Sequence, residues 1–363
     1  MNSSLSWWHV IIFFIVVFGG MELAKKSYSK KMAGIICFVL ICVAGLRHGY
    51  VDTRSYRAGF EALIPSEILN WENIVHSDSY SVGFSVLSAF VKSFTTNSQA
   101  FLWILSFITV GLLFWGFVKN VYWKDIDLAI FLFITTGCYL ETMNGVRQYL
   151  AIAIMFYFLP NYIKEKKLVN YLVVVLLVAT IHPTALLFIP IYFVAMRKPW
   201  GKATAGIVIV CILLYVFFNS GVGSFIADIL EETTYGSGEY TDMLLNSTTS
   251  VNFLRVLVAA VPVGLSLFVH KVDEDDEDTY IIAFNMSMFN LMTWIFATRM
   301  VYFYRLAMYF TPYMIILLCY EFNYIDERYR KLFKLLAIIC FLLFNIYNLR
   351  VMGDQFFVGY LRY

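Results

Sequence analysis

Long apolar runs recur along the whole chain, and they constrain its fold more than any other feature. A helix that spans the hydrocarbon core of a membrane takes about 20 mostly apolar residues, and only short polar stretches separate most of the runs found here. Several runs are short, so we expect some of the helices to be tilted, broken or re-entrant. The twelve apolar segments fall at about 5–24, 32–46, 99–118, 126–140, 145–160, 168–182, 184–196, 203–219, 251–269, 280–297, 304–320 and 335–349.

The composition excludes several classes of protein. Hydrophobic residues make up 60% of the 363 residues and charged residues 14%, against about 25% charged residues in an ordinary soluble domain. A soluble fold of this size could not bury so much apolar surface, and a net charge of +2 lacks the basic footprint of a nucleic-acid-binding protein. We therefore predict an all-α, polytopic integral membrane protein with about twelve spanning helices, in which residues 1–363 form a single integral membrane domain.

The loops between the apolar segments alternate in charge, and this alternation orients the chain in the membrane. Placing six loops on the cytoplasmic side puts 17 of the 27 basic residues inside, which agrees with the positive-inside rule. Two long outward loops result, at about 47–98 and 220–250. In the first, residues 80–92 carry apolar side chains at helical spacing and predict a helix at the membrane interface. The acidic run at 273–278 falls in a cytoplasmic loop and is typical of a solvated spacer.

This topology separates arginine from lysine. The inner loops hold 14 lysines and three arginines, whereas the outer side holds nine arginines and one lysine. A guanidinium group offers a planar, bidentate fork to phosphate or carboxylate, so the outer arginines indicate recognition of such a group. Interfacial anchoring is the alternative, and we favour it for Arg350 and Arg362. For Arg147, Arg299 and Arg305 we favour a function, because they end apolar segments and a charge at membrane depth is costly.

The first polar motif, at 45–56, contains Arg47, Asp52 and Tyr56. Asp52 either caps a helix that begins at Thr53, with its carboxylate accepting backbone N–H groups, or serves as a functional carboxylate. Tyr56 follows Asp52 by four residues and therefore lies on the same face of that helix.

The second motif begins with the turn signal Asn144-Gly145. Arg147 and Gln148 then open a helix, and the free N–H groups at its start favour an anion. An arginine opposes the helix dipole at this end, so binding of a phosphate would explain its presence. An ion pair with Glu141 is the alternative.

The third motif, at 180–185, centres on His182, which can exchange a proton near neutral pH. The proline after it breaks or kinks a helix, and a hydrogen-bonded histidine in such a kink is the alternative. The fourth motif, at 298–306, combines Arg299 and Arg305 with aromatic residues that suit either the membrane interface or a platform for sugar rings.

In this order, the motifs resemble the EpsG-like branch of the Wzy-type polysaccharide polymerases. The resemblance spans roughly the second to the eleventh apolar segment. It implies the fold of the large multi-spanning glycosyltransferases and a place in the bacterial cytoplasmic membrane, with the active site facing the periplasm or exterior. It rests on Arg47, Asp52-Thr53 and Tyr56, on Asn144-Gly145-x-Arg147-Gln148 with Ala151 behind it, and on His182-Pro183-Thr184.

By this resemblance, the substrates are two oligosaccharide repeat units carried on undecaprenyl pyrophosphate, one as donor and one as acceptor. A chain-length regulator and a flippase are candidate partners, and neither a cofactor nor a metal is implied. Fixed guanidinium groups would stabilise the charge that develops on the pyrophosphate leaving group, and either Asp52 or His182 would accept the proton of the attacking hydroxyl. We accordingly predict Asp52, Arg147 and His182 as catalytic, Arg47, Arg147, Arg299 and Arg305 as pyrophosphate-binding, and Tyr56, Asn144 and Gln148 as sugar-binding.

Two other functions fit part of the pattern. A lipid-linked glycan flippase or transporter would need polar groups through the whole membrane depth and an internal repeat, whereas the polar motifs here gather on one side. A membrane acyltransferase that modifies surface glycans, with His182 as its base, would need a route for an acyl donor from the cytoplasm, and the inner loops offer no evident catalytic residue.

Overall fold

The chain is described by a computed structural model that covers residues 7–68, 70, 82–218 and 251–351. These residues form α-helices and short 3₁₀ turns, and the β pairing within this part of the chain is one isolated bridge between Val269 and Ile325. The predicted all-α class is therefore confirmed. The outward loop predicted at 220–250 and Arg362 lie outside the described residues.

The helices are numbered here in chain order. They are α1 (Trp7–Lys26), α2 (Lys30–Gly45), α3 (Thr53–Ala62), α4 (Pro65–Ile68), α5 (Val82–Lys92), α6 (Ser98–Asn120), α7 (Ile126–Thr135), α8 (Cys138–Glu141), α9 (Val146–Lys164), α10 (Leu168–Ala179), α11 (Phe188–Ala195), α12 (Lys202–Val216), α13 (Phe253–Leu265), α14 (Glu274–Ala297), α15 (Tyr302–Tyr324) and α16 (Glu327–Val351).

Each predicted apolar segment contains a helix, and the segment at 126–140 is interrupted. The segment at 126–140 divides into α7 and α8 at Gly137, whose φ of +87° lies in the left-handed region that glycine adopts without a steric penalty. The segment at 184–196 begins with a 3₁₀ turn, Pro183–Leu187, before α11. Helix α5 confirms the helix predicted at 80–92 over its described residues, while its place at the membrane interface stays a prediction.

Four helices in the described part of the chain are long and apolar enough to cross a membrane. They are α6, α14, α15 and the stretch Glu327–Leu349 of α16. Shorter apolar helices also expose large aliphatic side chains, such as Leu176 and Leu177 of α10, which are 53% and 63% exposed. Because such surface is costly in water, these features identify a membrane protein. The number of crossings, predicted as about twelve, stays a prediction.

The chain divides into two compact units. Unit 1 consists of Met1–Leu159, Val173–Ala185 and Arg328–Tyr363, and unit 2 consists of Pro160–Leu172 and Leu186–Glu327. In unit 1, α2 packs against both α1 and α6; in unit 2, α14 and α15 pack along their length. The first three polar motifs lie in unit 1 and the fourth lies in unit 2. A single integral membrane domain stays a prediction.

The acidic run differs from its prediction as a spacer in a loop. Four of its acidic residues form the first turn of α14, with Asp273 as the N-cap residue. Acidic side chains are stabilised at a helix N-terminus by the helix dipole, which explains why the run is helical. The hydroxyl of Tyr324, at the end of α15, donates to the carboxylate of Asp276 and lies 3.2 Å from that of Asp273, so the run also ties the two helices together.

Candidate functional site

The turn before α3 presents the carboxylate of Asp52 without using it as a helix cap. Asp52 is the N-cap residue, but its side chain accepts no capping hydrogen bond, so the capping interpretation is wrong. The turn is closed instead by Thr53, whose backbone N–H and hydroxyl both donate to the carbonyl oxygen of Tyr50, at 2.8 and 2.5 Å. Asp52 itself is half-buried. A reactive role for its carboxylate is therefore compatible with the local structure.

The first and second motifs meet in unit 1, although 91 residues separate them in the chain. The hydroxyl of Tyr56, on α3, accepts from the backbone N–H and from Nε of Arg147, each at 3.4 Å. Arg147 lies in the first turn of α9, and its side chain is exposed. The start of α9, which the sequence predicts as an anion site, is thus in direct contact with α3, the helix that begins after Asp52.

Phe84, which sequence reasoning missed, links these residues. Its ring centroid lies 5.8 Å from that of Tyr56 and 5.9 Å from Cζ of Arg147. The latter is a cation–π distance. Phe84 is in the first turn of α5, the helix predicted at 80–92. Its only signal in the sequence was the apolar face of that helix.

The third motif joins the same group through Gly83. The backbone N–H of Gly83 donates to the carbonyl oxygen of Thr180 at 2.8 Å, and the Cβ of any larger residue at position 83 would overlap the side chain of Thr180. Ile181 packs in the same apolar cluster as Tyr56 and Phe84. Three motifs that are far apart in sequence therefore converge within unit 1.

His182 is buried beside this contact, with 7% of its surface exposed. Its Nδ1 lies 2.7 Å from the hydroxyl oxygen of Thr184, and its backbone carbonyl accepts from the N–H of Ala185. The histidine is thus held by its own motif, as a proline-broken helix end allows. This arrangement fits both a histidine that exchanges protons and a histidine that only stabilises a proline-broken helix end.

The other predicted residues of the second motif surround the start of α9. The backbone N–H groups of Asn144 and Gly145 each donate to the carbonyl of Glu141 at 3.1 Å, which forms the predicted turn. The carboxylate of Glu141 accepts from the hydroxyl of Tyr149 at 2.9 Å. Asn144 is half-buried, whereas Gln148 is only 2% exposed. Contact of either amide with a sugar stays a prediction.

Arg47 lies in the interior of unit 1, not on its surface. Its side chain is 1% exposed, and it donates to the hydroxyl of Thr53 at 3.1 Å and to that of Ser106 at 3.0 Å. It also donates to the carbonyl oxygen of Ala44 at 2.5 Å. Its predicted contact with pyrophosphate is untested, but these bonds give it a clear structural environment.

The middle and the end of α3 are tied to neighbouring helices by two further cations. Nζ of Lys92, at the end of α5, donates to the carbonyl oxygens of Phe60 and Glu61, both at 2.6 Å. Nε of Arg57 donates to the hydroxyl of Ser98, at the start of α6, at 3.2 Å. Helix α3 is thereby fixed along its length.

The two arginines of the fourth motif belong to unit 2. Cζ of Arg299, an exposed residue, lies 4.9 Å from the ring centroid of Tyr215, whose hydroxyl is 3.1 Å from that of Thr298. Arg305 is half-buried in the first turn of α15. Their assignment to the pyrophosphate stays a prediction.

One acidic pair that resembles a metal–nucleotide motif is engaged in ion pairs. Asp127 accepts from Nζ of Lys25 at 2.6 Å, and Asp125 lies 3.6 Å from Nζ of Lys334. Among the residues that the structure describes, no group of three histidine, cysteine or acidic side chains is placed to hold a metal ion.

Apolar helices with a polar cluster at the ends of α3, α9 and α10 define a membrane protein with a candidate active site. A model of the EpsG family matches residues 30–361, and the chain belongs to this family of Wzy-like polysaccharide polymerase and EpsG transmembrane proteins. The resemblance found in the motifs is therefore confirmed, and the family is associated with polymerase- or glycosyltransferase-type activity. No curated protein and no solved structure matches the chain.

Proposed function

We propose that this chain polymerises oligosaccharide repeat units carried on undecaprenyl pyrophosphate, at the outer side of the bacterial cytoplasmic membrane. The observation that carries the proposal is the contact of Tyr56 with Arg147 at 3.4 Å, next to Phe84 and the turn at Thr180. A carboxylate, an arginine at a helix start and a histidine are thereby gathered in one unit. Membership of the EpsG family supports this class of reaction.

In the proposed reaction, a sugar hydroxyl of the acceptor unit attacks the anomeric carbon of the growing chain. The glycosidic bond forms as the bond from that carbon to the pyrophosphate oxygen breaks, and the electron pair leaves with undecaprenyl pyrophosphate. The hydroxyl proton passes to a base of the protein. The proposal needs no nucleotide sugar, because the lipid pyrophosphate is already an activated leaving group.

Arg147 is the proposed partner of the pyrophosphate. Negative charge grows on the leaving group as the bond breaks, so a fixed guanidinium stabilises the transition state more than the ground state. Tyr56 holds Arg147 by its backbone N–H and Nε, which orients the guanidinium before the substrate binds. The first backbone N–H groups of α9 add a favourable field for an anion.

Either Asp52 or His182 is the proposed base. The carboxylate of Asp52 is half-buried and is not consumed in capping α3. The ring of His182 is oriented by the hydroxyl of Thr184, as a histidine that transfers protons requires. Tyr56 and Asn144 are the proposed partners of sugar hydroxyls, and the ring of Phe84 is the proposed surface for the apolar face of a sugar.

The decisive test compares two arginines of unit 1. We expect Arg147→Ala and Arg147→Lys to abolish long glycan chains in a deletion strain complemented with each variant, while single lipid-linked units accumulate outside. Lysine fails here because it lacks the bidentate fork of arginine. Arg57→Lys is the control, since Arg57 contacts Ser98 at the start of α6, and it should give a normal ladder of chain lengths.

Two outcomes would overturn the proposal. Normal ladders from both Arg147 variants would exclude its role at the pyrophosphate. Lipid-linked units retained on the inner face of the deletion strain would assign the chain to flipping rather than to polymerisation. Both are read from the same extracts, separated by chain length and probed for accessibility from outside.

A further inference from the structure

Arg47 occupies an unusual position for a charged residue at the end of an apolar segment. It is 1% exposed, and its Nη1 donates both to the last turn of α2, at Ala44, and to Ser106 of α6. Gln99 of α6 also holds the end of α2, because its Nε2 donates to the carbonyl oxygens of Gly45 and Arg47 at 2.6 and 3.2 Å. The guanidinium is therefore fixed by α2 and α6.

A second nitrogen of the guanidinium reaches the turn that carries Asp52. Nε of Arg47 donates to the hydroxyl oxygen of Thr53 at 3.1 Å, and the hydroxyl of Thr53 donates onward to the carbonyl oxygen of Tyr50 at 2.5 Å. These two bonds bracket Val51 and Asp52 from both sides. The guanidinium held between α2 and α6 is thereby connected to the backbone before and after Asp52.

That turn holds a backbone conformation which it would not adopt on its own. Val51 has a φ of +38°, and positive φ is strongly disfavoured for a β-branched residue. Such strain persists only where the surroundings over-determine the conformation, and it clusters at functional sites. In this turn, the bonds from Arg47 to Thr53 and from Thr53 to Tyr50 hold the backbone in that conformation.

We propose that Arg47 is a positioning residue for Asp52: through Thr53 it holds the strained turn that presents the carboxylate, and it does not bind pyrophosphate. This inference rests on the proposed function and selects Asp52 as the base. It assigns different tasks to the two arginines of unit 1, since Arg147 contacts the leaving group and Arg47 acts only through another residue.

The test is a double-mutant cycle on the purified full-length chain, with the undecaprenyl-pyrophosphate-linked repeat unit extracted from a deletion strain as substrate. We expect Arg47→Met to lower kcat by about 100-fold, the scale of a misplacement of about 1 Å, with KM changed less than about 2-fold. In an Asp52→Asn background, the same substitution should change kcat by less than about 2-fold, because residues that act as a unit are not additive.

A second pair of variants keeps the test informative if the Arg47 variant fails to fold. Thr53→Val removes the hydroxyl that joins Arg47 to Tyr50 and should lower kcat about 10-fold, whereas Thr53→Ser keeps the hydroxyl and should restore it. Arg57→Met is the matched control, because it also removes an arginine that ties α3 to α6. Arg57 otherwise contacts His48. The variant therefore leaves the bonds from Arg47 to Thr53 and from Thr53 to Tyr50 in place.

Each contrary result has a distinct meaning. A full additive loss of kcat for Arg47→Met in the Asp52→Asn background would return Arg47 to the pyrophosphate, because a guanidinium on the leaving group acts independently of the base. Normal kcat in Asp52→Asn or in Thr53→Val would overturn the inference, while loss of polymer in the Arg147 variants would leave the proposed function standing.

Discussion

Replacing Gly83 by alanine adds one carbon, the Cβ, and is expected to move α5 away from the third motif at Thr180. A Cβ there would overlap the side chain of Thr180 and approach its backbone carbon to 3.0 Å. Neither group can move aside cheaply, because Thr180 is β-branched and its carbonyl accepts the N–H of Gly83 at 2.8 Å. Helix α5 must therefore shift, and Phe84 with it.

The expected cost follows from two opposing effects. Overpacking of this kind costs about 1–3 kcal/mol, while alanine in place of glycine within a helix contributes up to about 1 kcal/mol. Gly83→Ala should thus lower the free energy of unfolding by about 1–2 kcal/mol. Gly59→Ala is the matched control, because a Cβ at Gly59, in α3, meets nothing within 4 Å, so only the favourable effect remains.

The assay combines thermal unfolding in detergent with the chain-length ladder in a complemented deletion strain. We expect Gly83→Ala to melt at a lower temperature than the wild type, and Gly59→Ala at an equal or higher one. The Gly83 variant should also give shorter or fewer chains, because the ring of Phe84 moves away from Tyr56 and Arg147. Equal melting temperatures and normal ladders for both variants would refute the convergence of α5 with the turn at Thr180.

Two other predictions follow from local geometry. Val51→Asn should raise the free energy of unfolding by about 1 kcal/mol, since asparagine tolerates positive φ and Val51 is already 37% exposed; a lower melting temperature would contradict the strain. Phe84→Ala should lower kcat/KM about 10-fold, because a cation–π contact and an aromatic pair together contribute about 1–2 kcal/mol. Phe84→Tyr should retain most of the rate, and equal rates for both variants would exclude the ring from the site.

The helices were predictable because membrane spans need long apolar runs, and such runs are visible without any tertiary information. The sequence from Asn144 to Gln148 also predicts an anion site at the start of α9, and that site stays a prediction. What joins that helix to α3 is a contact between Tyr56 and Arg147 over 91 residues. No local pattern specifies such a contact, although the shared side of the membrane suggested it.

Three residues show where sequence reasoning stops. Phe84 is one of 34 phenylalanines, and nothing local marks it as the ring beside Arg147. Arg47 looks like an exposed charge at the end of an apolar segment, because its burial depends on acceptors that α6 and the next turn supply. The carboxylate of Asp52 suits a helix cap by type, but the cap depends on backbone angles that the sequence does not display.

Helix α10 has a consequence for the lipid around the site. Its 12 residues rise about 18 Å at 1.5 Å per residue, well short of a hydrocarbon core of about 30 Å, and the helix exposes Leu176 and Leu177 close to the turn at Thr180. If α10 crosses the membrane, a bilayer that meets so short an apolar surface can thin beside it. Such thinning would bring the headgroup region toward the cluster, and under the proposed function the pyrophosphate of the lipid-linked substrate would then reach Arg147 without leaving the headgroup region.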